Sequence, residues 1–382
     1  VTEPVLPRLV ADDPGLRSRH LLALPEGIAA EEVEVLAASR FTSVRWEDVL
    51  PEAATASART ERRPLTAALG IRSVAAVAPV RALRVGRLTT LVGPYRVERE
   101  DTVALGLPTS TAVVYDVHAP VERGPLPFPG GDRDGLKRAF PDGLPVREEE
   151  RVLQWLVAAA RRLGGAVRTG TNGVVLTPDT DGAIDLTVLT ARWLEPEQVL
   201  AAVQRVAPRA RLSVAASEWH GPMPGSGRAA LRNPGMPEPG GSGLGAALVE
   251  HGLRDEELRG RVLAESEAYD AYMRANPPMP EGYGVLVDLG VDGMVAVEAG
   301  VEHVVPPIMR ELPWAQAEVV AYRVRWEPLL IEELEAERPS LEHRVARGRA
   351  VPQVQAIARV VHALAGGEIA DESGFLVDPE DL

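Results

Sequence analysis

Gly173-Val-Val-Leu-Thr-Pro-Asp-Thr-Asp-Gly182 and Gly284-Val-Leu-Val-Asp-Leu-Gly-Val-Asp-Gly293 span the same ten positions, 111 residues apart. Both open Gly-Val and close Asp-Gly. An apolar run ending in Asp-Gly reads as a strand entering a tight turn, because Asp and Gly tolerate the positive φ that short hairpins require. Each stretch reads in the order helix, strand, turn, strand, helix, strand. This pattern predicts an α+β fold with antiparallel or mixed sheets and flanking helices. It also raises an internal duplication of ferredoxin-like, split βαβ modules.

Working outward, Arg147–Leu163 precedes the first stretch and reads as a helix. Val152, Leu153, Leu156, Val157 and Ala160 recur at helical spacing, and Gly164 and Gly165 stop it. Ile184–Thr190 reads as a strand, 195–206 as a helix and 211–216 as a short strand. Residues 221–245 contain 8 Gly and 5 Pro and mark a linker or long loop. Beyond it, 256–274 reads as a helix, Met294–Glu298 and Ala317–Trp326 as strands, and Val301–Leu312 as a helix. Pro352 is placed in the first turn of a last helix carrying Val354, Ile357, Val361 and Leu364. The closing residues read as a tail anchored by Phe375 and Leu376. In the first half, 25–40 reads as a helix and Thr111–His118 as the clearest strand, and 120–145 as a loop. The expected organisation is an N-terminal α+β region over 1–145, a module over 146–220, the 221–245 segment, and a module with C-terminal helices over 246–382.

The 382-residue chain has no cysteine, and Lys137 is the only lysine among 41 Lys and Arg residues. Thiol catalysis, Cys-ligated zinc, iron–sulfur clusters and disulfides are thereby excluded. No P-loop is present, because Lys137 does not follow phosphate-cradling glycines. The arginine bias, with abundant Ala, Val, Gly and Pro, is that of a GC-rich bacterial coding sequence. A net charge of −14 with interspersed arginines argues against a nucleic-acid binder. No run approaches the roughly 18 apolar residues of a membrane span. The acidic opening run lacks a signal-peptide pattern, which predicts a cytoplasmic protein.

Several side chains are candidates for chemistry. Asp116 and His118 are two apart on a strand and so share a face, where the carboxylate orients the imidazole for general-base work. The same pair, joined by Asp132 and Asp134 from a nearby loop, could ligate a metal. The bland alternative is a strand end followed by a polar turn. Asp179, Asp181 and Asp185 form an oxygen-rich turn of the kind hard cations use, but the second ten-residue stretch keeps only the Asp-Gly, which favours a plain turn. Gly241–Ala246 fits a dinucleotide-binding spelling, yet no strand precedes it. Trp219 and His220 open the Pro/Gly-rich segment as a ligand contact. Tyr269 and Tyr272, near Tyr283, form an aromatic contact surface for a protein partner or a second copy of the chain, or pack a helix on its sheet. No cofactor is indicated.

The leading expectation is a non-catalytic protein that binds a partner or ligand between α+β modules. The rival is a hydrolytic or metal-assisted enzyme using Asp116 and His118. A third reading is an acidic subunit of a larger assembly.

Overall fold

The computed structural model describes residues 5–9, 11–49, 79–170, 172–213 and 282–382, together with 256–258, 260 and 264. Val1–Ser213 and Gly284–Leu382 make one unit, and Val214–Tyr283 a second.

Among the described residues, fourteen strands, numbered along the chain, form two antiparallel sheets. The first has the order β2 (Arg45–Asp48), β3 (Arg81–Arg84), β4 (Thr90–Arg96), β5 (Val113–His118), β1 (His20–Leu24), β6 (Ala166–Arg168), β7 (Val175–Leu176). The second has the order β14 (Leu376–Val377), β13 (Glu368–Asp371), β8 (Leu186–Thr190), β12 (Val319–Glu327), β11 (Met294–Glu302), β10 (Gly282–Asp288), β9 (Arg211–Ser213). The α+β expectation holds, with antiparallel sheets.

β1 is buried along its whole length because both faces of its sheet are covered. Its even residues Leu22 and Leu24 join a core with Tyr115, Val117 and Val167, and with residues of two helices, α1 (Ala30–Ala38) and α4 (Arg147–Arg162). Its odd residues Leu21 and Ala23 face a second core with Leu16, Tyr95 and Val114, closed by the 3₁₀ turn Pro14–Ser18 and by α2 (Arg99–Leu105). This is the period-two alternation of a strand sandwiched between layers. α4 buries the five apolar positions read from the sequence, and Trp155 besides. The Trp155 indole N–H donates to the Leu36 carbonyl at 3.0 Å, so this bulky ring leaves no buried donor unpaired. Glu148–Glu150 open α4 and Arg161–Arg162 close it, each sign matching the helix dipole. The short α3 (Leu136–Ala139) lies inside the stretch read as a loop.

On the second sheet, Leu189, Ala321 and Ala370 pack beneath the 3₁₀ turns Pro307–Glu311 and Pro313–Gln316. α5 (Pro196–Gln204) packs against the long α6 (Leu341–Ala365), and α6 also meets β8 and β12. Val354, Ile357 and Val361 are its buried stripe.

Several expectations change. The duplication is not confirmed, because the two ten-residue stretches fold differently. Gly284–Gly293 carries β10 through a 3₁₀ turn into its sheet neighbour β11. Gly173–Gly182 instead leaves β7 in the first sheet and leads to β8 in the second. Residues 146–220 therefore supply strands to both sheets: β6 and β7 to one, β8 and β9 to the other. Val301–Leu312 is not a helix, since β11 runs to Glu302 and Pro306–Pro307 admit only a 3₁₀ turn. Pro352 lies inside α6 rather than in its first turn. Proline lacks the N–H that the carbonyl four residues back would receive, and that residue is Gly348. The closing tail is the β13–β14 hairpin, and its Phe375 is buried in the core of the first sheet. The Pro/Gly-rich 221–245 segment and the dinucleotide-like spelling within it lie outside the described residues. Among the described residues, no helix is long and apolar enough to cross a membrane.

Candidate functional site

Asp116 and His118 do share a face of β5. His118 Nε2 lies 3.1 Å from Asp116 Oδ2, and Arg19 Nε donates to Asp116 Oδ1 at 2.8 Å. The carboxylate is buried, while the His118 side chain is 46% exposed at the strand end. Asp116 thus holds an imidazole whose other ring nitrogen has no protein partner among the described residues.

Asp132 and Asp134 take other partners. Asp132 accepts the backbone N–H groups of Lys137 at 2.8 Å and Arg138 at 2.9 Å, which caps the start of α3. Asp134 pairs with Arg161. Among the described residues, no group of three or more His, Asp or Glu side chains could hold a metal ion. The metal expectation for Asp116, His118, Asp132 and Asp134 therefore gains no geometric support. The Asp179–Asp185 turn is spent likewise: Arg347 Nη2 donates to Asp179 at 2.6 Å, and the Trp326 N–H donates to Asp185 at 2.9 Å. Trp219, His220, Tyr269 and Tyr272 lie outside the described residues.

Two features escaped sequence reading. The first is a closed polar network beneath the first sheet. His20 Nε2 lies 3.1 Å from Glu149 Oε1, and the Gly170 N–H donates to His20 Nδ1 at 3.0 Å. A backbone N–H can only donate, so Nδ1 holds the lone pair and Nε2 carries the proton toward Glu149. Glu149 has no exposed surface and also accepts from Arg123 and from the Glu122 N–H. Burial pushes its carboxyl up, but the hydrogen bonds from His20, Arg123 and Glu122 outweigh burial and hold it below the usual range. Inaccessible and fully paired, this network locks α4 to β1.

The second feature is an open cleft of about 800 Å³ where the chain crosses between the sheets. One wall is the end of α4, with Ala158, Arg161 and Arg162. The other is the first half of α6, with Arg344, Arg347 and Gly348. The crossing segment, from Asp179 to Leu186, and the β13–β14 hairpin complete it. The segment is tied at three points, by Arg347 on Asp179, by Trp326 on Asp185, and by Arg133 Nη2 donating to the Gly182 carbonyl at 2.6 Å. Such ties hold a wall in place before anything binds.

The arginines of the cleft are unequal. Arg347 is only 6% exposed, and its charge is answered by Asp179. Burial pushes the Asp179 carboxyl up, but the bond and charge of Arg347 prevail and keep it low. Arg161 is answered by Asp134 and, at 3.5 Å, by Glu372, and its buried Nε has no acceptor. Arg162 and Arg344 are exposed and make no ion pair among the described residues. Asp371 turns its carboxylate into its own hairpin, accepting from Ser373 and Phe375. Nothing local in the sequence joins these residues, because they come from helices far apart in the chain.

The chain matches no family model, no curated protein and no solved structure.

Proposed function

We propose that this is a non-catalytic, cytoplasmic ligand-binding protein whose small-molecule ligand sits in the cleft between α4 and α6. The observation that carries this reading is the cleft's volume of about 800 Å³, with polar groups fixed in its walls by ion pairs. Small-molecule sites typically measure about 300–1,000 Å³ and hold a few oriented polar groups. The test uses Gly348, which lines the cleft and whose added Cβ would meet no atom within 4 Å. Gly348→Trp fills the cleft from an unstrained helical position. In a thermal-shift screen of a metabolite library, compounds that raise the Tm of the wild type should leave Gly348→Trp unmoved. Compounds that raise both equally, or a library that moves neither, would count against the cleft.

A second reading, hydrolysis by Asp116 and His118, is favoured by their hydrogen bond and the exposure of His118. It requires that turnover of an activated ester by the full chain collapse in His118→Ala. Turnover that is absent, or indifferent to this change, removes it.

A further inference from the structure

The cleft's cations are arranged in a way that deepens the ligand-binding reading, on which this inference rests. Arg344 and Arg347 are three residues apart on α6 and therefore neighbours on one face of the helix. Arg347 is the fixed member: it is nearly buried, and Asp179 takes only its Nη2. Its Nη1 and Nε have no acceptor among the described residues, yet neither is a fully buried unpartnered atom, so each keeps some access to solvent. A guanidinium held on one edge by a carboxylate presents its remaining donors in a set plane, the geometry that suits a planar or tetrahedral oxyanion. Arg344 and Arg162 line the same cleft without an ion pair of their own. Of the acids there, Asp179 bonds Arg347 and also feels the charge of Arg344, Asp371 bonds its own hairpin and feels the charge of Arg162, and Asp181 is exposed. In a chain of net charge −14, four arginines, Arg161, Arg162, Arg344 and Arg347, thus line this one cleft against three aspartates. Charge of one sign gathered in a concave site raises the local concentration of the opposite ion.

We infer that the α4–α6 cleft binds the oxyanion of its ligand, a phosphate or carboxylate group, through Arg347, Arg344 and Arg162. Inorganic phosphate and citrate are the probes, titrated calorimetrically into the full chain at constant ionic strength, with chloride as the control. One of the two should bind with unit stoichiometry, and which one does separates a phosphate ligand from a carboxylate ligand. Arg344→Gln and Arg162→Gln should each weaken binding by about tenfold or more, the scale of one charge-assisted hydrogen bond. Both residues are exposed and unpaired, so the anion-free Tm of each variant should stay at the wild-type value. Arg344→Lys should restore only part of the affinity, because an ammonium lacks the planar fork.

Equal affinity in wild type and Arg344→Gln would overturn the inference, as would no binding of either anion. If neither anion binds while neutral compounds still separate wild type from Gly348→Trp, the oxyanion inference fails and the cleft reading stands. If no compound separates those two proteins, both fail.

Discussion

His20 and Glu149 meet across 129 positions of sequence, and their pairing shows what a single residue can decide in this chain. Glu149 also forms an ion pair with Arg123, and breaking such a pair leaves buried groups short of their partners, at a cost of about 3–5 kcal/mol. Glu149→Gln should therefore lower the stability read from urea unfolding at pH 6 by about 3 kcal/mol. Glu149 has a lowered pKa in the fold, so its stabilisation is fully present above the ordinary value of 4.5 and is lost as pH falls through the folded value. The gap between wild type and variant should shrink on acidification below pH 4.5. Asp185 runs the other way. Burial pushes its carboxyl up from 3.8 to about 6, against the hydrogen bond from the Trp326 N–H. Between those values the folded chain holds a proton that the unfolded chain has released, so stability falls as pH rises through the window. Asp185→Asn should be more stable than the wild type at pH 7.5, by roughly 2–3 kcal/mol, and the difference should vanish below pH 4. Urea midpoints at the two pH values check the sign.

Elements are the most legible level of the sequence. α4, β5, β8 and β12 are readable because each owes its form to a local signal, either helical spacing of apolar residues or a run of β-branched ones. A helix over Val301–Leu312 fails because its apolar content counts for less than Pro306 and Pro307. Pro352 misleads because a proline is a boundary signal, and α6 runs through it. At the end of α6, Gly367 has φ +90°, and a Cβ there would lie 2.0 Å from the Leu189 carbonyl oxygen. This turn brings β13 alongside β8, so Gly367→Ala should cost more than 1 kcal/mol in chemical unfolding, whereas Gly348→Ala should add about 0.5–1 kcal/mol.

At the scale of the whole molecule, the sequence shows far less. The ten-residue stretches that resemble each other end in different places, because the partner of a strand is set by tertiary pairing that an Asp-Gly turn does not specify. The Asp116–His118 hydrogen bond is readable from a spacing of two on a strand. The cleft is not, since Arg162 and Arg344 come to line one cavity only after the chain has crossed between sheets. Phe375, close to the last residue, completes the core of the first sheet from a hairpin of the second. Hydrogen exchange read by mass spectrometry tests the ligand seat most directly, on the full chain with and without a saturating compound from the thermal-shift screen. Slowed exchange confined to the crossing segment 177–186 and to 341–355 of α6 is the predicted result. Protection centred on β5 and the 14–20 region around His118, with the cleft unchanged, would contradict it.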